Sequence, residues 1–342
     1  MVIKAYPNAS ILFLTYNHSR FVAEAIRSAM AQDYPNLELV VCDDASSDNT
    51  RSILEEELKK CPPHVTLVRA HSEKNVGLIE NFNRGVATCS GEIIIPMSGD
   101  DISLPYRVST ICKEFESDPN CMLVFSNWTC IDDLGIRHNI GCNIGYDKDF
   151  SYSKCNNNIY AKAPVCGATA AYRIALRDQF FPMIKGRHGE DNCFWLRALL
   201  LGNIKYLSEP LVLWRRHQAS LSNWSKRLAS DDLKKYIKFL KSHELLFRQW
   251  NRDLSHAVDC NIISELEKIN ISHLIAFDRE LRRLERYSLT NINWRLWYLS
   301  MVRLIQLNFG ILSFIKILFM IIRKHLRLRL FNKYKKYYLQ KR

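Results

Sequence analysis

EIIIPMSGDD, residues 92–101, is the stretch on which the fold turns. Ile93, Ile94 and Ile95 make a run of the kind that fills a strand buried on both faces, and the chain then emerges through Ser98 and Gly99 onto two adjacent carboxylates, Asp100 and Asp101. Charge is thereby placed where a strand meets solvent. Three similar apolar runs precede it, Ile11 to Thr15, Leu37 to Cys42 and Val65 to Arg69, and an amphipathic segment follows each. In the first of these segments Phe21, Val22, Ala25, Ile26, Ala29 and Met30 share one stripe of 3.6-residue period. Strands alternating with helices at this pitch predict an α/β fold, a parallel sheet with both faces covered. Such sheets bind ligands beyond the carboxyl ends of their strands, which makes the polar residues there the candidates for chemistry.

Composition bounds the rest. The 342 residues are 47% apolar with 12 Gly and 10 Pro, enough to bury a full-sized core and unlike a disordered chain. Of 48 Lys and Arg, 13 lie from Arg286 to Arg342, where no Asp or Glu occurs, so the remaining 35 balance the 35 acids. The net charge of +13 therefore belongs to the tail. Eleven cysteines without a C-x-x-C or a zinc-type His pair read as small buried hydrophobes in a reducing compartment. The first twenty residues hold only a four-residue apolar run, so no signal peptide is expected and the protein is placed in the cytosol. Residues 130–165 are polar, Gly- and Asn-rich and aperiodic, which predicts long loops, and helical patterns with charged faces run from about 227 to 288.

Three acidic clusters are candidates to converge: Asp43-Asp44 after the second strand, Asp100-Asp101 after the fourth, and Glu190-Asp191 opening a helical stretch. Gathering like charges is costly unless a cation or a donor-rich ligand enters among them. Asp100 suits a hard cation, Mg²⁺ or Mn²⁺, that also holds a diphosphate. Local alternatives stand beside each: Asp101 or Ser103 as a cap for a helix near Pro105, Asp48 as a cap after Ser46 and Ser47, and Glu190-Asp191 as acids favoured by a helix dipole.

Taken in order, TYN (15–17), SAMAQDYPNLELVVCDDASSDNT (28–50), NVGLIENFNRGVATCSGEIIIPMSGDD (75–101) and HGED (188–191) resemble the family 2 glycosyltransferases of bacterial surface-polysaccharide type. The resemblance covers roughly residues 9–222. It implies the GT-A fold, a Rossmann-like mixed sheet flanked by helices, with residues 1–222 as catalytic domain, 223–290 as a C-terminal helical extension and 291–342 as a basic amphipathic segment. By resemblance, Thr15, Asn17, Asp43 and Asp44 hold the base and ribose of a nucleotide-sugar donor, and Asn83 lines the donor pocket. Asp100 matches the second acid of the D-x-D motif, the metal and diphosphate ligand. Asp191 matches the catalytic base, with Glu190 as its neighbour. Ser98 stands where the motif's first acid would be, which removes a charge from the metal site. Arg215 and Arg216 suit the departing diphosphate, and His217 could complete the metal site. The implied reaction inverts the anomeric centre in a single displacement, moving sugar to a saccharide acceptor, polyprenyl-diphosphate-linked in the family expectation. Cys166-Gly167-Ala168-Thr169 is a candidate border of the acceptor site.

The segment Leu304 to Ile322 is interrupted by Gln306, Asn308 and Lys316, and nine Lys or Arg with three Tyr follow it. An interfacial amphipathic helix on an anionic membrane fits this better than a span, which predicts a peripheral protein on the cytosolic face of the inner membrane. Its apolar density argues against nucleic acid as a partner. A sugar nucleotidyltransferase would need a Gly-rich N-terminal loop that is absent, and a non-catalytic binding scaffold is the remaining alternative. Neither G-x-G-x-x-G nor G-K-[ST] occurs, against dehydrogenase and P-loop chemistry.

Overall fold

The structure, a computed structural model, describes residues 7–141, 148–150, 165–180, 182–186, 190–217 and 233–264. Four strands, β1 (Ala9–Thr15), β2 (Leu37–Asp43), β3 (Val65–Arg69) and β4 (Ile93–Ser98), alternate with helices α1 (Val22–Met30), α2 (Thr50–Leu58) and α3 (Leu78–Thr88). They run parallel in the order β3-β2-β1-β4. All four lie where the apolar runs predict them. The sequence direction reverses between β1 and β4, the switch point at which open α/β sheets leave a crevice.

Beyond β4 come β5 (Ile102–Ser103), α4 (Arg107–Ser117), β6 (Cys121–Ile131), β7 (Arg137–Ile140), β8 (Lys148–Phe150), β9 (Ala170–Arg173), α5 (Ala175–Phe180), α6 (Asp191–Leu201), β10 (Asn203–Arg215) and α7 (Leu233–Asp259). The sheet continues β4-β9-β6-β10-β5, with β7 on β6 and β8 on β10. Antiparallel β9 separates β4 from β6, so the whole is mixed, as the GT-A expectation requires. Residues 130–165 are not all loop, since β7 and β8 lie there as short edge pairings. Their largely polar side chains hide any alternation, and backbone pairing makes them strands, helped in β8 by Phe150 packing on Phe125 and Trp195.

Successive residues of β1 face opposite sides of the sheet, so Leu12 and Leu14 join a core under α3, α5, α6 and α7 while Ala9, Ile11 and Phe13 join one under α1, α2 and α4. The α1 stripe is buried as predicted at Val22, Ala25, Ile26, Ala29 and Met30. Each large side chain so buried stabilises the fold by about 1.5–3 kcal/mol. Residues 265–342, including the whole basic tail, lie outside the described residues. Among the described residues no helix is long and apolar enough to cross a membrane.

Candidate active site

Strand register sets the rim. Thr15 pairs with Asp43 across β1 and β2, and Leu14 pairs with Ser98 across β1 and β4, so Thr15, Asp43 and Ser98 end three adjacent strands on one edge of the crevice. The two loops leaving β1 and β2 are laced together. Asn17, in left-handed backbone at φ 55°, donates its amide to Ser46 Oγ at 2.9 Å and accepts from the Ser47 amide at 2.9 Å. Asp48 accepts from the amides of Ser19 (3.2 Å) and Thr50 (2.9 Å), so it braces the first loop as well as starting α2.

Asp43 accepts from the Ser46 amide at 3.1 Å, and its own amide donates to His71 Nδ1 at 3.1 Å. Asp44 donates its amide to the Thr15 carbonyl at 3.0 Å. Its carboxylate takes the Val76 and Gly77 amides, both at 2.9 Å, and so ties the turn that leads into α3 to the end of β2. An ionised carboxylate has about four acceptor sites, so these bonds leave capacity for a ligand's N–H or O–H.

Asp100 is 9% exposed and lies at the centre of the rim. The Ser98 hydroxyl donates to Oδ1, His217 Nε2 lies 3.0 Å from Oδ2, and His18 Nε2 is 4.0 Å from the same oxygen. Burial alone would raise the Asp100 carboxyl, but the His217 hydrogen bond, the nearby His18 and the Ser98 hydroxyl outweigh it and hold it low. Burial holds His18 below its ordinary range, with Asp100 opposing. A Cβ on Gly99 would fall 2.5 Å from Thr15 Oγ1 and 2.9 Å from His18 Nδ1, so only glycine lets the turn close this tightly.

Asp101 behaves differently from its neighbour. It is buried, accepts from the Arg215 amide at 2.9 Å, and burial together with Asp100 pushes its carboxyl well above the ordinary range. It does not cap a helix: α4 starts at Arg107 with Tyr106 as its N-cap residue and no side-chain cap bond. Nor does Ser103 cap, since its hydroxyl accepts from Arg107 at 3.3 Å.

Arg215 faces inward. Its Nε donates to the Asp100 carbonyl (3.0 Å), one terminal nitrogen to the Asp132 carbonyl (2.8 Å) and the other to Glu24 Oε2 (2.6 Å), while the guanidinium stacks 4.8 Å from the Phe21 ring. Those contacts make it a clamp on the Asp100 turn. Arg216 is exposed, 5.1 Å over the Trp214 ring, and is the freer cation for a phosphate. Asn83 is also turned to the protein: it donates to the Met183 carbonyl at 2.9 Å and accepts the Met183 amide at 3.2 Å.

The third cluster opens α6. Glu190 stands at its N-cap position, with its carbonyl taking the amides of Cys193 (2.9 Å) and Phe194 (3.1 Å), and Asp191 is the first helical residue. The 3-10 turn Gly167–Thr169 lies against both: a Cβ on Gly167 would sit 2.3 Å from Glu190 Oε1 and 3.8 Å from Asp191 Cβ. Burial pushes the Cys166 thiol up to about 12, and the charges of Asp191, Asp101 and Glu190 add to that, which brings two of the acidic clusters within electrostatic reach of one sulfur. Arg107 is the tie. Fully buried, its guanidinium donates to the Pro96 carbonyl of β4 at 3.2 Å and to the Ala168 carbonyl at 3.1 Å, and burial draws it down to about 10.

Sequence reasoning did not single out His18 or Arg107. His18 follows the TYN stretch at a strand's carboxyl end, a signal that was present. Arg107 shares a helical stripe with Val108, Ile111, Cys112 and Phe115, and a cation on an apolar face is a sign of a buried structural charge.

Among the described residues no group of three or more His, Cys, Asp or Glu side chains is arranged to hold a metal ion. Asp100 and His217 supply one carboxylate and one imidazole. That donor set fits Mg²⁺ or Mn²⁺ only where substrate phosphate oxygens and water fill the remaining positions.

A mixed sheet with its switch-point rim lined by these acids defines an α/β domain of the GT-A class. Residues 10–178 match the model of the Glycosyl transferase family 2, and the chain carries a domain of that family. An uncharacterized glycosyltransferase of Nostoc sp. is 26% identical over 228 residues, 62% of this chain and 65% of that relative, so the match spans about two thirds of the relative's length. The Escherichia coli UDP-Glc:alpha-D-GlcNAc-diphosphoundecaprenol beta-1,3-glucosyltransferase WfgD is 28% identical over 220 residues, 63% of this chain and 79% of WfgD. The crystal structure of S. aureus TarS 1–349 in complex with UDP-GlcNAc superposes with a TM-score of 0.59 at 18% identity, over 88% of this chain and 81% of that one. It shows the shared fold.

Proposed function

We propose that the protein is an inverting glycosyltransferase that moves a sugar from a nucleotide-sugar donor to a hydroxyl of a lipid-linked saccharide acceptor in surface-polysaccharide (O-antigen or capsule-like) biosynthesis. The observation that carries this is the meeting of the acidic clusters, Asp43-Asp44 and Asp100 along one strand-end rim and Glu190-Asp191 joined to it through Arg107 and the Gly167–Thr169 turn. The solved TarS complex holds UDP-GlcNAc on the same fold, and WfgD's name specifies a diphosphoundecaprenol-linked acceptor.

In this reading Thr15, Asn17, Asp43 and Asp44 receive the base and ribose from two loops that are already braced, so little ordering entropy is lost on binding. Asp100 and His217 would hold Mg²⁺ or Mn²⁺, which stabilises negative charge on a diphosphate leaving group. Arg216 faces the same phosphates from solvent, while Arg215 keeps the Asp100 turn in place. Asp191, at a helix start, orients the acceptor hydroxyl and takes its proton as the oxygen approaches the anomeric carbon. Glu190, held against Gly167, fixes the wall beside it. One displacement, with the diphosphate leaving from the opposite face, inverts the anomeric configuration. The basic tail would keep the enzyme at an anionic surface on the cytosolic face of the inner membrane, where such acceptors sit.

The test is a panel of nucleotide-sugars, with and without Mn²⁺, scored for released nucleoside diphosphate and for the anomeric configuration of the product. Turnover with at least one donor, lost in D100N and D191N, is expected. Undiminished transfer by a protein carrying both substitutions would overturn the reading.

A further inference from the structure

The family match ends at residue 178, yet Asp191 and the helix packed behind it lie beyond that limit. Helix α7 presents Leu246, Gln249, Trp250, Asp253, Leu254 and Ala257 on one face, at spacings of three and four, and all six are buried. Its three polar members do not bond at random. Gln249 Oε1 accepts the Ile184 amide at 2.6 Å, upstream of Glu190. Trp250 Nε1 donates to the carbonyl of Asn192, the residue following Asp191, at 3.1 Å. Asp253 receives Arg197 from α6 in a paired contact, Nε at 2.8 Å and a terminal nitrogen at 3.1 Å, and also takes Gln249 Nε2 at 2.7 Å. Arg197 reaches on to the Phe180 carbonyl at 2.7 Å, the last residue of α5.

We infer that α7 is a positioning element for the general base: Gln249 and Trp250 clamp the backbone on either side of Glu190-Asp191, and the Arg197–Asp253 pair locks α6 behind them. This rests on the assignment of Asp191 as base. The acid that must meet an acceptor hydroxyl lies between two described backbone points, Ile184 and Asn192, each of which bonds to α7. Those two bonds tie the backbone flanking Glu190-Asp191 to α7. Donor binding, by contrast, uses the strand-end rim of β1, β2 and β4, whereas Gln249, Trp250 and Asp253 bond to Ile184, Asn192 and Arg197. A clamp of this kind acts on the chemical step and spares the donor, because a misplacement near 1 Å is enough to cost about a hundredfold in rate.

The experiment uses the full chain with the donor found active, and compares wild type, W250F, Q249M and D191N. Rates are normalised to donor-binding stoichiometry so that unfolded enzyme is not counted. W250F keeps a ring but loses the indole N–H, and Q249M keeps the length but releases Ile184. Both are expected to lower kcat at least fivefold with the donor KM within twofold of wild type. Normalised kcat within twofold of wild type in both variants, or a loss confined to the donor KM, would overturn the clamp. D191N separates this from the underlying reading: retained transfer in D191N removes the base assignment itself, whereas lost transfer in D191N with full kcat in W250F and Q249M removes only the clamp.

Discussion

His217 Nε2 lies 3.0 Å from Asp100 Oδ2, although the two residues are 117 positions apart in the chain. The contact joins the end of β10 to the turn after β4, and the tilted Phe21 ring, 4.8 Å from the imidazole, closes its other side. Beside it, Ser98 occupies the position where a second acid would stand, and its hydroxyl donates to the other oxygen of Asp100. One carboxylate thus works with one imidazole and one hydroxyl.

That arrangement predicts how transfer responds to cation. On the proposed assignment of Asp100 and His217 as the protein's metal ligands, the Mn²⁺ concentration giving half-maximal activity should rise about tenfold or more in H217A, since one of those two is gone. S98D should move it the other way by restoring a charge, while lowering stability in the absence of cation through repulsion of Asp100. Activity titrated against Mn²⁺ measures the first effect, and thermal melting with and without the ion measures the second. Superimposable titration curves for H217A and wild type would remove His217 from the site.

A second prediction concerns the loop after β2. His71 Nδ1 accepts the Asp43 amide, so its proton sits on Nε2, which donates to Glu55 Oε1 at 3.0 Å. Burial holds the imidazole below its ordinary value near 6.5, with Glu55 opposing. Protonation at Nδ1 would break the bond that fixes Asp43. A group with a depressed folded pKa contributes stability that is present above its unfolded pKa and lost as pH falls through the folded value. Wild type should therefore lose melting temperature relative to H71Q between about pH 7.5 and 5.5. A constant difference across that window would show that His71 does not titrate against the fold.

The tail gives a third. Removal of residues 291–342 deletes most of the cluster that makes the chain basic. The truncated protein should still transfer sugar to a soluble acceptor but should bind anionic vesicles far more weakly than the full chain, and added salt should erode the full chain's binding. Sedimentation with vesicles of graded anionic content reads this directly. Equal sedimentation of both proteins would end the proposal of a basic membrane segment.

The parallel half of the fold was legible because its strands are buried on both faces and its helices amphipathic, so hydrophobic period alone located β1 to β4. The mixed half was not. β7 and β8 are short, largely polar edge strands that form by pairing with β6 and β10 and, in β8, by Phe150 packing on Phe125 and Trp195, and a sequence does not print its partners. In the site, carboxylates at strand ends were visible as types and positions. What was hidden was which polar groups look inward: Arg215 and Asn83 read as ligand contacts, yet both bond chiefly to the protein's own backbone. Arg107 was missed for the opposite reason: its place on an apolar helical stripe marked it as buried, but the tertiary carbonyls it bonds are announced by no local pattern.

The fourth prediction tests a buried ion pair. Arg197 and Asp253 have side chains 0% and 2% exposed, and the guanidinium sits 5.5 Å from both the Phe180 and Phe194 rings. Removing one partner strands the other charge in apolar surroundings, at a cost of about 3–5 kcal/mol. D253L should therefore melt well below wild type, as should R197M. Replacing both with apolar residues of similar volume removes the uncompensated charge, so R197M/D253L should recover much of the loss although no ion pair is restored. Non-additivity is thus the signature, read from denaturant midpoints of the four proteins as a double-mutant cycle. A double variant as unstable as the sum of the single ones would mean that α6 and α7 are held by apolar packing and that the charges act independently.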